Sequence, residues 1–239
     1  MRFVILTLFP EFFESPLKVG LLGKAIENGL LQCETVQIRD FATDKHKTVD
    51  DTPFGGGPGM VMKADVVAPA LEHAQAVWPS QRTILLSPRG TALTQEKAAE
   101  IAAMDTVHLL CGRYEGVDER IIECGLVDEE LSLGDFVLAG GEVAALTCIE
   151  AVSRLVEGVV GNEQSVENDS FYHGLLDHPH YTRPREFRGV QVPDVLLSGN
   201  HAEIDRWRTK QSLEATRDRR PDLLERLTLS DDDWRLLEQ

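Results

Sequence analysis

The hydrophobic residues of the first two thirds of the chain fall into two alternating patterns. Short apolar runs such as Phe3–Leu8 are typical of buried strands, and longer stretches such as 63–76 carry apolar residues three and four positions apart, as helices do. The predicted strands are Phe3–Leu8, Thr35–Ile38, Thr83–Leu86, Val107–Leu110 and Phe136–Leu138, and the predicted helices are Ser15–Asn28, Lys63–Ala76, Gln95–Ala103, Val117–Cys124 and Glu142–Val156. Strands that alternate with helices predict an α/β fold with a mostly parallel sheet.

The pattern changes near residue 160. Residues 161–177 have little periodicity and several Gly, Asn and Asp residues, so they are predicted to be a linker between domains. Helical spacing returns further on, over Ala202–Ala215, Asp222–Leu227 and Asp231–Leu237. The sequence therefore predicts an α/β domain over residues 1–160, the linker, and a small all-helical C-terminal domain over residues 178–239.

Two glycine-rich turns follow predicted strands between Val107 and Glu142. The first lies in CGRYEGVDER (Cys111–Arg120) and the second in SLGDFVLAGGE (Ser132–Glu142). Glycine lets backbone N–H groups approach a ligand closely, and the start of a following helix favours negative charge. Either turn alone is also compatible with an ordinary connection between a strand and a helix. Because polar residues crowd against the first turn, we favour a pocket built from both loops, which suits a flat polar ligand such as an adenosyl group.

The net charge of −16 argues at first against a nucleic-acid partner. The distribution of charge changes this picture. Residues 180–220 contain nine basic and six acidic residues, a local charge of +3, which leaves −19 for the rest of the chain. A basic district of this kind can hold a phosphate backbone, although a solvated helix face of mixed charge gives the same pattern.

The cysteines and the apolar runs indicate in which cellular compartment the protein acts. Cys33, Cys111, Cys124 and Cys148 form no CxxC pair and no metal-ligand spacing, so we expect each to be a small buried apolar residue in a reducing cytoplasm. No apolar run approaches the roughly 20 residues of a membrane span. The N-terminal run is too short for a signal peptide and lacks a small-residue cleavage site.

The glycine-rich segment TPFGGGPGM (Thr52–Met60) looks at first like a nucleotide-binding loop. It has no Lys-Ser/Thr after Gly59, so it fails the P-loop pattern, and its glycines are spaced wrongly for GxGxxG. This failure argues against a dinucleotide-dependent oxidoreductase. The segment is predicted to be a flexible cover near a pocket, or simply a loop.

The segment that begins at Asp177 carries two histidines in the order His178-Pro179-His180. A zinc site is a minor alternative here, because no fourth ligand follows, and we predict no metal ligands. Imidazole and phenol rings beside arginines are more typical of an RNA contact. The predicted RNA-binding residues are His180, Tyr181, Arg183, Arg185, Arg206 and Arg208.

Four motifs occur in the order found in one known family. They are TPFGGGPGM, CGRYEGVDER, SLGDFVLAGGE and GLLDHPHYTRP (Gly174–Pro184). Through them, essentially the whole chain resembles the bacterial tRNA (guanine-N1)-methyltransferases, which methylate guanine 37. The resemblance implies the SPOUT fold, in which the mostly parallel sheet contains a deep trefoil knot near Leu85–Gly90, Gly112–Gly116 and Ser132–Gly141. Knots are close to absent among proteins, and no periodicity indicates one.

The resemblance also implies the cofactor S-adenosylmethionine, a tRNA substrate, and a homodimer whose active site is shared between subunits. It suggests a magnesium requirement, although the sequence shows no ligand set for it. The implied cofactor-binding residues are Leu86, Ser87, Pro88, Gly90, Gly112, Arg113, Tyr114, Glu115, Gly116, Ser132, Leu133, Gly134, Leu138, Gly140 and Gly141. Leu85, Leu131 and Phe136 depart from the more polar or larger aromatic residues of many relatives, which leaves the local shape of the pocket open.

Methylation at N1 of guanine requires a base, because this nitrogen carries a proton and is a poor nucleophile until the proton leaves. A carboxylate can take the proton, and an arginine can stabilise the charge that spreads to O6. By resemblance, Asp169 is the base and Arg154 is the arginine, whereas the residues alone are also compatible with Asp169 capping a turn. Two alternatives remain: ribose 2′-O-methylation by a related fold, and an RNA-binding module that has lost its activity.

Overall fold

A computed structural model describes residues 1–161 and 169–238 of the chain. These residues divide into two compact units, Met1–Gly161 and Asn162–Gln239. The predicted linker falls partly on residues 162–168, which lie outside the described residues; of the rest, Gly161 belongs to the first unit and 169–177 to the second. The division into an α/β domain, a linker and a C-terminal domain therefore stays a prediction.

The first unit is built on a parallel sheet. Its strands and short strand pairs are β1 (Arg2–Thr7), β2 (Gln32–Gln37), β3 (Asp50–Asp51), β4 (Val61–Met62), β5 (Arg82–Ala92), β6 (Thr106–Cys111) and β7 (Glu129–Ser132). Five of them form the sheet in the order β2-β1-β6-β5-β7, and every neighbouring pair is parallel. The predicted α/β class with a mostly parallel sheet is confirmed.

Helices cover both faces of this sheet. They are α1 (Gly20–Glu27), α2 (Ala64–Val77), α3 (Gln95–Ala102), α4 (Arg120–Glu123) and α5 (Glu142–Ser153), with single 3₁₀ turns at Pro10–Phe13, Pro16–Lys18 and Ile38–Phe41. Side chains of β1 alternate between the two faces, because successive residues of a strand point in opposite directions. Phe3 and Ile5 pack with α1, α3 and α5, whereas Val4 and Leu6 pack with α2 and α4.

The predicted strand Phe136–Leu138 is wrong. These residues form an exposed loop, in which Phe136 and Val137 are 54% and 83% accessible, and the strand before this loop is β7. A search for apolar runs misses β7 because this strand contains Glu129 and Glu130. Both carboxylates are paired, Glu129 with Arg82 at 3.1 Å and Glu130 with Arg89 at 3.2 Å, so this strand carries charge without exposing it fully.

The first helix also begins later than predicted. Ser15 and Pro16 open a 3₁₀ turn, and α1 starts only at Gly20. Gly20 has a φ of 65°. Gly20 is itself the first residue of α1, and its left-handed φ keeps the preceding 3₁₀ turn from running on into the helix. Likewise, only Arg120–Glu123 of the predicted helix 117–124 is helical.

Strand β5 meets β7 twice. Ile84–Leu86 pairs with Glu129–Leu131, and after an irregularity Thr91 and Ala92 pair with Leu131 and Ser132. A bulge of this kind bends the strand and re-aims its side chains. Gly90 lies inside it, and a Cβ there would come within 2.3 Å of the Glu130 carbonyl carbon. The absence of a side chain at residue 90 is therefore required by the close approach of two strands.

The described part of the second unit contains a hairpin and helices. The hairpin is β8 (Glu186–Phe187) with β9 (Val190–Gln191), and the helices are α6 (His201–Arg219), α7 (Pro221–Leu224) and α8 (Asp231–Glu238), after a 3₁₀ turn at Asp194–Leu197. The prediction of an all-helical domain therefore missed the hairpin. Its turn residues Arg188 and Gly189 both have positive φ, at 53° and 82°, as tight hairpin turns require. Leu213 of α6 is fully buried.

Candidate active site

A cleft of about 1610 Å³ opens in the first unit, at the carboxyl ends of β5, β6 and β7. Ligands of parallel α/β sheets bind at this edge. Of the residues implied to bind the cofactor, the cleft is lined by Leu86, Ser87, Pro88, Gly112, Arg113, Tyr114, Glu115, Gly116, Ser132, Leu133, Gly134, Leu138, Gly140 and Gly141. Gly90 does not line it, because it lies against the backbone of β7.

The two glycine-rich loops touch each other across the cleft. The Gly141 N–H donates to the Gly112 carbonyl at 2.8 Å, and Arg113 forms a single antiparallel bridge with Gly140. A Cβ on Gly141 would lie 2.7 Å from the Cys111 Cα. This proximity explains the second glycine of the pair, since only hydrogen fits between the two backbones. The loops that the sequence suggested as one pocket are therefore joined by main-chain contacts.

Tyr114 holds an unusual backbone conformation in the first loop. Its φ is 60°, and its side chain is 49% exposed beside the cleft. Non-glycine residues rarely adopt this region, and such conformations cluster at functional sites. The neighbouring Glu115 N–H donates to the Met60 carbonyl at 2.9 Å, and the Met62 N–H donates to the Gly116 carbonyl at 2.9 Å. The loop is thus fixed from its other side by the end of the glycine-rich segment.

The glycine-rich segment TPFGGGPGM forms part of the rim. Its residues Thr52, Pro53, Phe54 and Gly55 line the cleft, and Phe54 is fully exposed. This position at the rim agrees better with the prediction of a cover near the pocket than with a loop that is unrelated to it. An exposed phenylalanine at a rim supplies apolar area that a ligand would cover.

Charged side chains form the outer part of the cleft. Arg89 donates to Glu119 at 2.9 Å and lies between this carboxylate and Glu130. Arg120 lies 2.6 Å from Asp118, and this hydrogen bond holds the pKa of the Asp118 carboxyl below its ordinary value. Apolar side chains lie deeper, so the cleft offers apolar walls, many backbone polar groups and a charged entrance, as small-ligand sites do.

Glu142 is the last residue of the motif SLGDFVLAGGE, but the sequence gives it no role of its own. This residue begins α5 and is only 1% exposed, yet its Oε2 lies 2.9 Å from Nη2 of Arg113. The angles of this contact miss those of a hydrogen bond, so it is an ion pair held by charge. The sequence around Glu142 does not distinguish it, because acidic residues are common in the first turn of any helix, where the helix dipole stabilises them.

Two of the predicted site residues lie elsewhere in the structure. Arg154 ends α5 in the first unit and is not among the described residues that line the cleft. Asp169 belongs to the second unit, where its carbonyl accepts a hydrogen bond from the Tyr172 N–H at 3.3 Å. Their catalytic roles stay predictions.

The predicted RNA-binding residues are exposed side chains of the second unit. Arg183, Arg185, Arg206 and Arg208 are all exposed, and Tyr181 is 47% accessible. The ring of Tyr181 lies 6.3 Å from that of Trp207, a residue that no sequence motif singled out. This surface offers phosphate-binding cations beside aromatic rings, the two elements of single-stranded RNA binding.

The candidate metal ligands Asp177, His178 and His180 do come together, with one ligand atom of each within 4.8 Å of the others. Hydrogen bonds already account for this arrangement. The His180 Nε2 lies 2.7 Å from Oδ2 of Asp177, whose Oδ1 accepts from the His178 backbone N–H at 2.7 Å. The aspartate therefore links both histidines of this segment through hydrogen bonds.

The cysteines are unpaired, in agreement with their spacing. Cys111 and Cys148 are buried, Cys33 is partly buried, and Cys124 is exposed, which contradicts the expectation that each is buried. Burial first, and then the charge of Glu142, raise the pKa of the Cys111 thiol. A thiol of this kind stays protonated and inert, so Cys111 is no candidate nucleophile despite lying next to the first loop.

Comparison with known proteins decides the family. Residues 1–226 match the family described as tRNA (Guanine-1)-methyltransferase TrmD. The chain belongs to this family. A tRNA (guanine-N(1)-)-methyltransferase of Geobacter metallireducens is 54% identical over 99% of this chain and 96% of its own length. The protein of the same description from Mesorhizobium japonicum is 56% identical over 92% of this chain and 94% of its own length.

Membership of the family gives the activity. The protein is a tRNA guanine-N1 methyltransferase, and this activity implies S-adenosylmethionine as the methyl donor and tRNA as the substrate. Membership of this family does not favour the alternative functions of ribose 2′-O-methylation, of an inactive RNA-binding module, or of an oxidoreductase. Among the described residues, no helix is both long and apolar enough to cross a membrane.

Proposed function

We propose that this protein methylates N1 of guanine 37 in tRNA and that the cleft of the first unit binds S-adenosylmethionine. One observation carries the assignment of the cleft: the two glycine-rich loops indicated by motifs and residues 86–88 implied by the resemblance line a single cleft at the ends of three neighbouring strands. Incubation of the purified protein with unmodified tRNA and methyl-labelled cofactor, followed by nucleoside analysis, tests the reaction. Label in 1-methylguanosine at position 37 is expected, and label in a 2′-O-methylated nucleoside would contradict the proposal.

The cleft suits the chemical character of the cofactor. The Arg113 side chain at Gly140 and the Cys111 backbone at Gly141 leave no room for a side chain, so main chain lines the cleft there. Peptide N–H and C=O groups can hydrogen-bond the edge of an adenine ring, while Leu86, Leu133 and Leu138 supply apolar walls. When bound, S-adenosylmethionine supplies an electrophilic methyl group on a sulfonium. The chain itself must hold this group in line with N1 of guanine, which is a proximity effect.

Two polar residues are proposed to act on the guanine. Asp169 takes the N1 proton as a general base, and Arg154 stabilises the negative charge that develops on O6. The role of Asp169 requires contact with guanine bound next to the cofactor. In the proposed homodimer, Asp169 of one subunit serves the cleft of the other. A two-fold dimer repeats this arrangement, so that two composite sites form.

The knot belongs to the same proposal. The second pairing of β5 with β7, beyond the bulge at residues 87–90, supports a chain path in which the segments near 85–90, 112–116 and 132–141 pass closely.

Enzymes of this kind act in the cytoplasm, where their tRNA is. Magnesium remains part of the proposal only as a general requirement, with no ligands assigned to it.

Cofactor binding without tRNA is the first expected result. Saturating S-adenosylhomocysteine should raise the unfolding temperature, because a ligand that binds only the folded state stabilises it by about 2.7 kcal/mol at 100 times its Kd. NADH at the same concentration should produce no shift. The Gly140→Val variant is the matched control, since a side chain there would lie 2.2 Å from Arg113 Nε. A shift with NADH and none with S-adenosylhomocysteine would refute the cofactor assignment.

The arginines of α6 are expected to bind tRNA phosphates. A double variant, Arg206→Gln with Arg208→Gln, should weaken tRNA binding and flatten the plot of log affinity against log salt concentration by about one for each phosphate that is no longer neutralised. Arg235→Gln, in α8 and also exposed in the second unit, is the control and should leave the slope unchanged. An unchanged slope in the double variant would mean that these arginines do not bind tRNA phosphates and that this surface is a solvated helix face of mixed charge.

A further inference from the structure

Glu142 occupies a place where a carboxylate is costly. Its side chain is 1% exposed, and its Oε1 accepts a hydrogen bond from Oγ1 of Thr7 at 2.8 Å. Thr7 is fully buried at the end of β1, far from Glu142 in sequence. A buried carboxylate destabilises the fold unless a positive group compensates its charge. The chain provides that group in Arg113.

Arg113 connects this buried charge to the cleft. Its Nη2 lies 2.9 Å from Oε2 of Glu142, and its Nη1 donates to the Ala139 carbonyl at 3.2 Å. The guanidinium also lies over the ring of Phe9, 4.6 Å from the ring centroid. The same side chain lines the cleft and is 25% exposed. Three contacts thus fix a cation that a bound ligand can reach.

The position of Arg113 determines how the second loop lies. A Cβ on Gly140 would come within 2.2 Å of Nε of Arg113, so the guanidinium occupies the space beside this backbone. The main chains of the two residues are bridged as well. Because Arg113 packs beneath the loop 139–141, a displaced guanidinium would change the separation of the two glycine-rich loops.

The pair depends on charge more than on hydrogen bonds. Both Arg113 Nε and Glu142 Oε2 are buried without a hydrogen-bond partner among the described residues. Because Glu142 is buried and Arg113 is only 25% exposed, water screens their attraction over 2.9 Å only in part, and this attraction vanishes when either partner becomes neutral. An uncharged side chain of the same shape at residue 142 should therefore release Arg113 without opening a cavity.

We propose that Glu142 is a positioning residue for methyl transfer: it holds Arg113 against the backbone of Gly140 and so fixes the spacing of the two loops that bind the cofactor. The inference rests on the proposed function of the cleft. Glu142 does not touch the cofactor or the guanine itself, and it acts through Arg113. Its loss should therefore change cofactor affinity and leave the binding of tRNA to the second unit unchanged.

The substitution Glu142→Gln tests this role, because glutamine keeps the shape and can still accept the hydrogen bond of Thr7. The Kd for S-adenosylhomocysteine, measured by calorimetry, and the KM for S-adenosylmethionine should rise about tenfold, as expected from the loss of a charged partner. The KM for tRNA should not change. Glu150→Gln is the matched control, since Glu150 is exposed on the same helix. A folded Glu142→Gln variant with wild-type cofactor affinity would overturn the proposal.

A double-mutant cycle separates positioning from a general structural role. Arg113→Gln alone should weaken cofactor binding, and adding Glu142→Gln should weaken it no further, because the two residues act as a unit. Additive effects would mean that Glu142 does not act through Arg113. The cycle presupposes a wild type that binds S-adenosylhomocysteine. Absence of wild-type binding would refute the proposed function itself, which is a different outcome.

A second pair of substitutions decides the matter if Glu142→Gln does not fold. Replacing both partners, Arg113→Met with Glu142→Leu, removes both charges of the pair and leaves no unpaired carboxylate, and such replacements commonly leave a fold stable. This double variant should keep a cooperative unfolding transition and lose cofactor affinity by at least the factor seen for Arg113→Gln. Wild-type cofactor affinity in the double variant would overturn the proposal.

Discussion

Replacing Asp169 by Asn is expected to slow methyl transfer by about 10²-fold or more, the usual contribution of a general base. Asparagine has nearly the same shape but cannot accept the N1 proton at neutral pH. The measurement is single-turnover methylation with cofactor and tRNA both saturating, so that binding does not limit the rate. Binding of S-adenosylhomocysteine should remain near normal, because the cleft lies in the first unit and Asp169 in the second.

Two further variants sharpen this test. Arg154→Ala should lower the same rate through the lost stabilisation of charge on O6. Asp194→Asn, which removes an exposed carboxylate from the second unit, should leave the rate unchanged. If Asp169→Asn kept most of its turnover while chemistry was shown to be rate-limiting, another group would have to be the base.

The cleft was predictable from the sequence because its residues sit in short, contiguous motifs. Glycines after predicted strands indicate loops whose main chain is exposed, and parallel strands place such loops at one edge of the sheet. This prediction needs only that the loops follow strands, and the second loop does so although the strand before it is β7 and not the predicted Phe136–Leu138. Gly90 shows the limit of predicting cleft residues from glycines, since this glycine allows β5 to pack closely on β7 instead.

Strand β7 was not predictable by the same reasoning. Its residues Glu129 and Glu130 are charged, and the partners that neutralise them, such as Arg82 and Arg89, come from β5. The exposed run Phe136–Leu138 is more apolar and therefore looks more like a buried strand. Hydrophobic patterns record what a side chain prefers, whereas burial also depends on partners that only the fold brings together.

Glu142 went unrecognised for a related reason. Its two partners, Thr7 and Arg113, are distant in sequence, and Thr7 lies 135 residues away. No local pattern distinguishes a buried carboxylate at a helix start from an exposed one, because both fit the helix dipole. Residues that act by holding another residue therefore require the structure, while residues in glycine-rich loops do not.

The proposed sharing of the active site between subunits predicts that two inactive variants restore each other. Gly140→Val disables the cofactor cleft, because its side chain would collide with Arg113. Asp169→Ala removes the base and leaves the cleft intact. The two proteins are denatured, mixed in equal amounts and refolded, so that half of the dimers contain one copy of each. In every mixed dimer, one site combines an intact cleft with an intact base, and the other site carries both lesions.

Methylation by the mixture should therefore return to about a quarter of the wild-type rate, because half of the dimers each hold one working site of two. If the base acts within its own subunit, every site in every dimer carries one lesion, and the mixture stays inactive. Coupling between the two sites would lower the recovery below a quarter, so the deciding observation is some activity against none. Tagging one variant and isolating the tagged–untagged dimer must show first that subunits exchange, since a failure to exchange would also give an inactive mixture.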